Sequence, residues 1–408
     1  MKNKSNLFKL TGKAQHYQWG GSDFIPALLN FPNGDGKPFA EYWLGAHVNS
    51  PSEIDGSEKI HLDKFIAQDQ SVLGTKVQKQ FGRLPYLLKV LDVKEMLSIQ
   101  VHPSRNAAAF EFNRENERGI PVNDHRRNYK DDNHKPELML ALSDFWLLHG
   151  FKPEAAMLET INTVPEFHFM LDLFRDGGYE DLYRNIMELN QEQIREILAP
   201  LLDRIIPLYQ KNLLVKADAN FWAARAALTY NKEGNIDAGI FSVYLLNLVN
   251  LKEGEAIFQD AGILHAYLEG QNMEIMANSD NVLRGGLTPK HIDVGELMKH
   301  VSFHAVHPQV IRGTMVNDFE EAYITPAEDF QLNRIQVPSG KTAFVSCETA
   351  EIFLVYGGSV ELTEANGNPV KLGKGESAVA FAGAAIGISA IEKSVIFRAS
   401  VPTGKGNN

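Results

Sequence analysis

LKEGEAIFQDAG (Leu251–Gly262) and LGKGESAVAFAG (Leu372–Gly383) are two copies of one pattern, and reading them together decides the fold. Gly254 and Gly375, Glu255 and Glu376, and Gly262 and Gly383 each stand 121 residues apart. In both copies a Gly-Glu pair opens a short apolar stretch and an Ala-Gly pair closes it, as turns bound a strand. A strand–turn–strand unit repeated at long spacing is typical of double-stranded jelly-roll barrels. Carried three residues further, the alignment sets His265 against Ile386. One jelly roll is therefore expected to hold an imidazole that the other, over residues 321–408, lacks.

Outward from the repeat, FSVYLLNLVNL (Phe241–Leu251) reads as a strand. Before it, residues 151–235 carry apolar stripes at helical spacing: Leu182, Ile186 and Leu189, then Ile194, Ile197, Leu198, Leu201, Leu202 and Ile205. Nothing in that segment looks catalytic. LPYLLKVLDV (Leu84–Val93) is an unbroken apolar strand with one cation, Lys89, which needs an anion if it is buried. Lys59 to Phe81 and residues 104–118 read as helical, and residues 114–133 as a long polar loop. The expected fold is mainly β with an inserted helical domain. Residues 1–150 and 236–320 form a cupin-type jelly roll, 151–235 the helical insertion, and 321–408 a second, metal-free cupin-like barrel.

The chain has 408 residues, 44% of them apolar and 22% charged, which describes a folded globular protein of two or three domains. A net charge of −11 argues against nucleic acid as a partner, so an anionic ligand must be held by a few local cations. One cysteine, Cys347, excludes an intrachain disulfide and fits a reducing compartment. No stretch has the apolar core of a signal peptide or the length of a membrane span, so the expected location is cytoplasmic.

In LSIQVHP (Leu97–Pro103), read as a strand, Ser98, Gln100 and His102 share a face. In NHKPE (Asn133–Glu137), Lys135 and Glu137 do the same, and in GILHAYL, His265 and Tyr267. Imidazole, amide oxygen and carboxylate together suit a divalent cation of borderline hardness, so Gln100, His102, Glu137 and His265 are candidate ligands of one ion. These donors do not by themselves select the metal. In MEIMANSDN, alternation would set Glu274, Met276, Asn278 and Asp280 on one face. Trp19, Trp43 and His47 read as packing residues.

HYQWGGSDF, EYWLGAH, LPYLLKVLDVKEMLSIQVHP, NYKDDNHKPELMLAL and HAYLEGQNMEIMANSDNVLRGGLTPKH together resemble the type I phosphomannose isomerases, from about Tyr17 to Val294 and weakly beyond. That resemblance implies a zinc enzyme interconverting mannose 6-phosphate and fructose 6-phosphate, with one ion per chain on Gln100, His102, Glu137 and His265. It also implicates Asp280 and Arg284 in ring opening and proton transfer, and places Lys89 near the sugar phosphate. Ser104 stands where the family usually has Asp, a change that touches only helix capping.

Aldose–ketose isomerisation moves a proton between adjacent carbons through an enediol or enediolate. Lys135 is the candidate base and His134 a second proton carrier. A guanidinium is a poor base, so Arg284 is expected to stabilise the enediolate or phosphate, or to pair with Asp280. Ser98, Lys89 and Lys290 are candidate phosphate ligands, with Tyr267 beside the sugar. The expected partner is a small sugar phosphate, with no nucleic acid or membrane, on a monomer or weak homo-oligomer. Competing readings are an iron-dependent cupin oxygenase and a sugar-phosphate sensor without activity.

Overall fold

The computed structural model describes residues 5–56, 59–365 and 367–404. Among them three antiparallel sheets stack in layers. The middle sheet has nine strands in the order Thr314–Met315, Glu320–Tyr323, Gln331–Val337, Ser394–Ser400, Glu351–Gly357, Ser377–Ala380, Leu7–Thr11, Glu53–Asp55 and Ile60–His61. Side chains alternate across each strand, so one strand feeds two cores. Phe353 and Val355 pack with Val345, Leu362 and Ile386 of a four-stranded sheet on one face. Ile352 and Leu354 pack with Leu44, Leu88, Leu140 and Ile275 of an eleven-stranded sheet on the other.

The N-terminal strand lies inside the C-terminal sheet. Leu7 is opposite Ala380 and Leu10 opposite Ser377, with Leu7 in one core and Leu10 in the other. Residues 7–11, 53–55 and 60–61 therefore cross the divisions drawn at 150 and 320.

The eleven-stranded sheet is organised around the long strand His265–Ala277. Its second half lies between Tyr86–Val93 and Glu137–Ala141. Its first half pairs with Phe145–Phe151 and, at His265, with Gln100. The register shifts between Tyr267 and Glu269, where one set of partners gives way to the other. Leu91 and Met139 from one limb and Leu147 from the other share a core with Tyr267. Among the described residues the strand pairings run from edge to edge and close no barrel.

Helices gather between Phe145–Phe151 and Leu246–Leu251: Glu154–Thr163, Met170–Met187, Gln191–Gln210, Ala219–Tyr230 and Gly239–Leu245. Asn190 and Gln193 form a capping box at the start of the third. Ser104 caps Arg105–Glu117 by accepting from the Ala107 N–H at 3.3 Å. Together the helices cover the first limb through Ile99, Leu148, Ala266 and Leu268. The strand expected over 241–251 is helical as far as Leu245. Gly239–Leu245 is buried throughout, and a run that is apolar on every side carries no period to separate helix from strand.

Both repeat copies make the same turn. Glu255 accepts from the Lys252 N–H at 3.0 Å and Glu376 from the Gly373 N–H at 2.8 Å. Gly254 and Gly375 take φ values of 84° and 81°.

Candidate metal centre and cleft

Gln100 and His265 are opposite residues on adjacent strands and share a face, which turns both into the space between the two limbs. His102 Nδ1 lies 2.8 Å from the Asn281 carbonyl oxygen, and His265 Nδ1 lies 2.9 Å from that of Ile263. A carbonyl only accepts, so each Nδ1 carries the proton and each Nε2 presents a lone pair. Those Nε2 atoms lie 3.5 Å from Oε1 and Oε2 of Glu137 respectively. The three donor atoms fall within 4.8 Å of one another, and His102 Nε2 is buried with no hydrogen-bond partner among the described residues. Burial and the nearby Lys135 hold the His102 imidazole neutral, with its pKa at about 4. Lone pairs facing a carboxylate repel unless a cation lies between them, so these residues fit a bound metal ion. Gln100 lines a small chamber of about 50 Å³ with Glu137 and His265.

Lys135 shares Glu137's side of the chain, as the spacing predicts: its Nζ is 2.8 Å from Oε1, and it is buried. Burial would raise the Glu137 pKa, but the Lys135 ammonium outweighs it and holds the carboxyl well below its ordinary range. A second group lies beside this one. Lys89 Nζ is 3.2 Å from Glu274, 3.9 Å from Glu41 and 5.0 Å from the Trp43 ring centre. Burial works against that ammonium, but Glu41 and Glu274 prevail and keep its pKa above the ordinary lysine value. The Tyr267 hydroxyl donates to Glu274 at 2.9 Å. Burial, then the Glu137 charge, pushes Glu274 up.

A cleft of about 700 Å³ opens above this floor, lined by Trp19, Trp43, Ser98, Gln100, Lys135, Asp280, Arg284 and Lys290. Tyr230 and Lys232, from the end of the helical segment, close one wall. Arg284 and Lys290 meet no carboxylate within ion-pair distance among the described residues. Burial lowers the Arg284 pKa, and Arg284 in turn is the largest cause of the lowering at Lys290. Two unpaired cations on a concave wall make an anion site.

Several expectations are corrected. The strand in LSIQVHP spans only Gln100–Val101, with Ser98 on the cleft wall and His102 fully buried behind it. The long strand stops at Ala277, so alternation does not carry Asp280 onto the Glu274 face. Asp280 is instead anchored by its own N–H, which donates to Asp131 at 2.7 Å, and its carboxylate pairs with His47 at 3.2 Å in place of Arg284. Lys89 lines the cleft and is at the same time paired with two buried carboxylates. His134 does not line the cleft; its Nε2 faces Asp329 at 2.9 Å, beside Arg105. Glu41, His47, Tyr230 and Lys232 went unread as site residues. For Glu41 the signal was there: in the buried strand EYWLG it shares a face with Trp43, and a buried acid calls for a cation.

Fold and site together define a metalloenzyme class: a buried divalent-cation site between sheet limbs, beneath a cleft with an anion-binding wall. Residues 7–154 match the family profile described as "Phosphomannose isomerase type I, catalytic domain". The chain is 35% identical to the mannose-6-phosphate isomerase of Shigella flexneri, over 91% of this chain and 93% of that one. It is 31% identical to mannose-6-phosphate isomerase 1 of Arabidopsis thaliana, over 91% and 88%. A crystal structure of the Salmonella typhimurium mannose 6-phosphate isomerase, bound to fructose 6-phosphate and zinc, aligns with a TM-score of 0.87 at 30% identity, covering 97% of this chain and 100% of that one. The chain belongs to the type I phosphomannose isomerase family. Alignments covering 91% of the chain also carry the likeness past Val294, where the motifs had faded.

Proposed function

We propose that this protein is a zinc-dependent isomerase that interconverts mannose 6-phosphate and fructose 6-phosphate through a cis-enediol or enediolate. The observation that carries this reading is the orphaned His102 Nε2 facing Glu137 beneath a wall of unpaired cations, in a chain of this family. Gln100, His102, Glu137 and His265 would hold one zinc ion per chain, which when bound supplies Lewis-acid stabilisation of negative charge on the sugar oxygens.

The chain's own residues do the rest. Lys135 takes the proton from one carbon and returns it to the next. Asp280 and Glu274 exchange hydroxyl protons during ring opening and enediol formation. Glu274 suits this because burial raises its pKa towards the working range. Tyr267 orients Glu274, and Lys89 keeps Glu41 and Glu274 from repelling each other. Arg284 offsets charge on the enediolate, while Lys290 and Ser98 receive the phosphate. His134, turned to Asp329, has no place on this proton path. We read the two facing limbs of the eleven-stranded sheet as one cupin-type jelly roll and the middle sheet with the four-stranded sheet as a second, with the helices as an insertion in the first.

The test is a coupled assay for fructose 6-phosphate formed from mannose 6-phosphate, run with chelator and after zinc is restored. Activity should vanish with the metal and return with it. A zinc-loaded protein that turns over no mannose 6-phosphate would end this reading.

A further inference from the structure

Asp280 stands between two cavities. One is the sugar cleft; the other, of about 650 Å³, shares Ser279 and Asp280 with it and has His47 and Asn49 on its wall. His47 is buried, with its ring edge-on to Trp43 at 4.9 Å. Its Nδ1 lies 3.3 Å from the Asn49 backbone N–H, which can only donate. The ring proton is therefore on Nε2, which is aimed at Asp280 Oδ1 at 3.2 Å. Asn49 Nδ2 donates to the other oxygen at 3.4 Å, and Asp131 accepts the Asp280 N–H. Both carboxylate oxygens and the backbone of Asp280 are thus held by residues that line the second cavity and not the cleft.

We propose that His47 is a positioning residue for proton transfer at Asp280: its Nε2–H fixes the carboxylate's orientation and keeps it ready to accept a hydroxyl proton. This role rests on the isomerase reading and adds a residue to it. A hydrogen bond donated to a carboxylate favours its ionised form. Burial pushes the Asp280 pKa up, but His47, with Lys135 and Lys89 at longer range, more than offsets it. Asp131 behind and the Tyr17 hydroxyl across the cleft are the other titratable groups that feel this charge.

The test is the acid limb of kcat/KM for mannose 6-phosphate, with zinc content and thermal midpoint measured on the same preparations. Zinc-loaded wild type, His47→Leu, His47→Gln, Asp280→Asn and the His47→Leu/Asp280→Asn double variant are compared. The substrate phosphate titrates near pH 6 in every case, so the signal lies in the difference between variants. Removing the donor should raise the Asp280 pKa and move the acid limb of His47→Leu up by about one pH unit. Its kcat should fall about tenfold with little change in KM. His47→Gln, whose amide N–H can still reach Asp280, should recover most of both. In the Asp280→Asn background His47→Leu should cost nothing further, because the two residues act as one unit. An unmoved limb in folded, zinc-replete His47→Leu overturns the proposal, as do losses that multiply in the double variant. Where the leucine variant does not fold, His47→Asn, polar but too short to reach, takes its place with the same shift expected. Wild type without isomerase activity would instead refute the parent reading, and is told apart by that control.

Discussion

The two repeat copies put nearly the same backbone under different chemistry. The Gly262 N–H donates to the His102 carbonyl at 3.0 Å and the Gly383 N–H to that of Cys347 at 2.8 Å, so Cys347 stands where His102 does. His265 faces Gln100, and Ile386 faces Val345. Glu137 faces Gln259, and Glu351 faces Ala380, the residue 121 positions after Gln259. Val345, Cys347 and Ile386, at the places of three candidate ligands, share one apolar core, and burial pushes the Cys347 thiol pKa up. The fourth place is still a buried carboxylate, Glu351. Following the same pairings, Glu274 opposite Met139 becomes Arg398 opposite Phe353, and Arg398 Nε donates to Glu351 at 2.6 Å. A buried carboxylate must meet positive charge. In the C-terminal copy the chain supplies it as a guanidinium, which makes a strut; in the other copy Lys135 supplies part of it and two imidazole lone pairs leave room for a further cation, which makes a site.

The comparison breaks most visibly at its two glutamates. Glu137→Ala should lose zinc and activity together, with turnover down on the order of a thousandfold or more, the scale of losing stabilisation of a developing oxyanion. Metal analysis and the coupled assay on one preparation check this, and a Glu137→Ala protein that kept both would remove it from the ligand set. Lys135→Ala should separate the two readouts, retaining zinc while turnover drops by about 10²- to 10⁴-fold. Near-normal turnover there would move the base elsewhere, with Glu274 the next candidate.

In the C-terminal copy the readout is stability. Arg398 also meets Glu320 at 2.7 Å, so Arg398→Leu strands two buried carboxylates. The expected cost is about 3–5 kcal/mol in urea unfolding, with zinc content per folded chain unchanged. A loss below about 1 kcal/mol would mean that Glu351 and Glu320 find other partners or take up protons, and that the strut reading is wrong. The arginine then would not be standing in for the metal.

What the sequence made legible follows the range over which its signals act. Gln100, His102, Glu137 and His265 sit in motifs long enough to be recognised, and Lys135 follows from its spacing to Glu137. The same alternation should have excluded His134, since adjacent residues in extended backbone point to opposite sides. Lys89 was visible as a charge needing an anion, but Glu274, directly across the ladder from it, is 185 residues away. The partnership of His47 with Asp280 and the entry of Leu7–Thr11 into the C-terminal sheet are likewise long-range pairings with no local pattern. FSVYL failed for a different reason, because its burial on every side erased the period.

The smallest effect separates the copies at their shared turn. Gly254 and Gly375 both have φ near +80°, so alanine is strained at either, by about 1 kcal/mol. Their surroundings differ. A Cβ on Gly254 would come 3.2 Å from Nη1 of Arg334, the end of a flexible side chain, whereas on Gly375 it would come 2.1 Å from the Leu28 backbone oxygen. Gly375→Ala should therefore cost about 1–3 kcal/mol more, the usual penalty for overpacking, while Gly254→Ala stays near the conformational cost alone. Urea unfolding of the two variants side by side measures the difference. Equal losses would show that the Leu28 segment yields freely, and that the turn is kept in both copies by backbone conformation alone, without the close packing that the C-terminal copy adds.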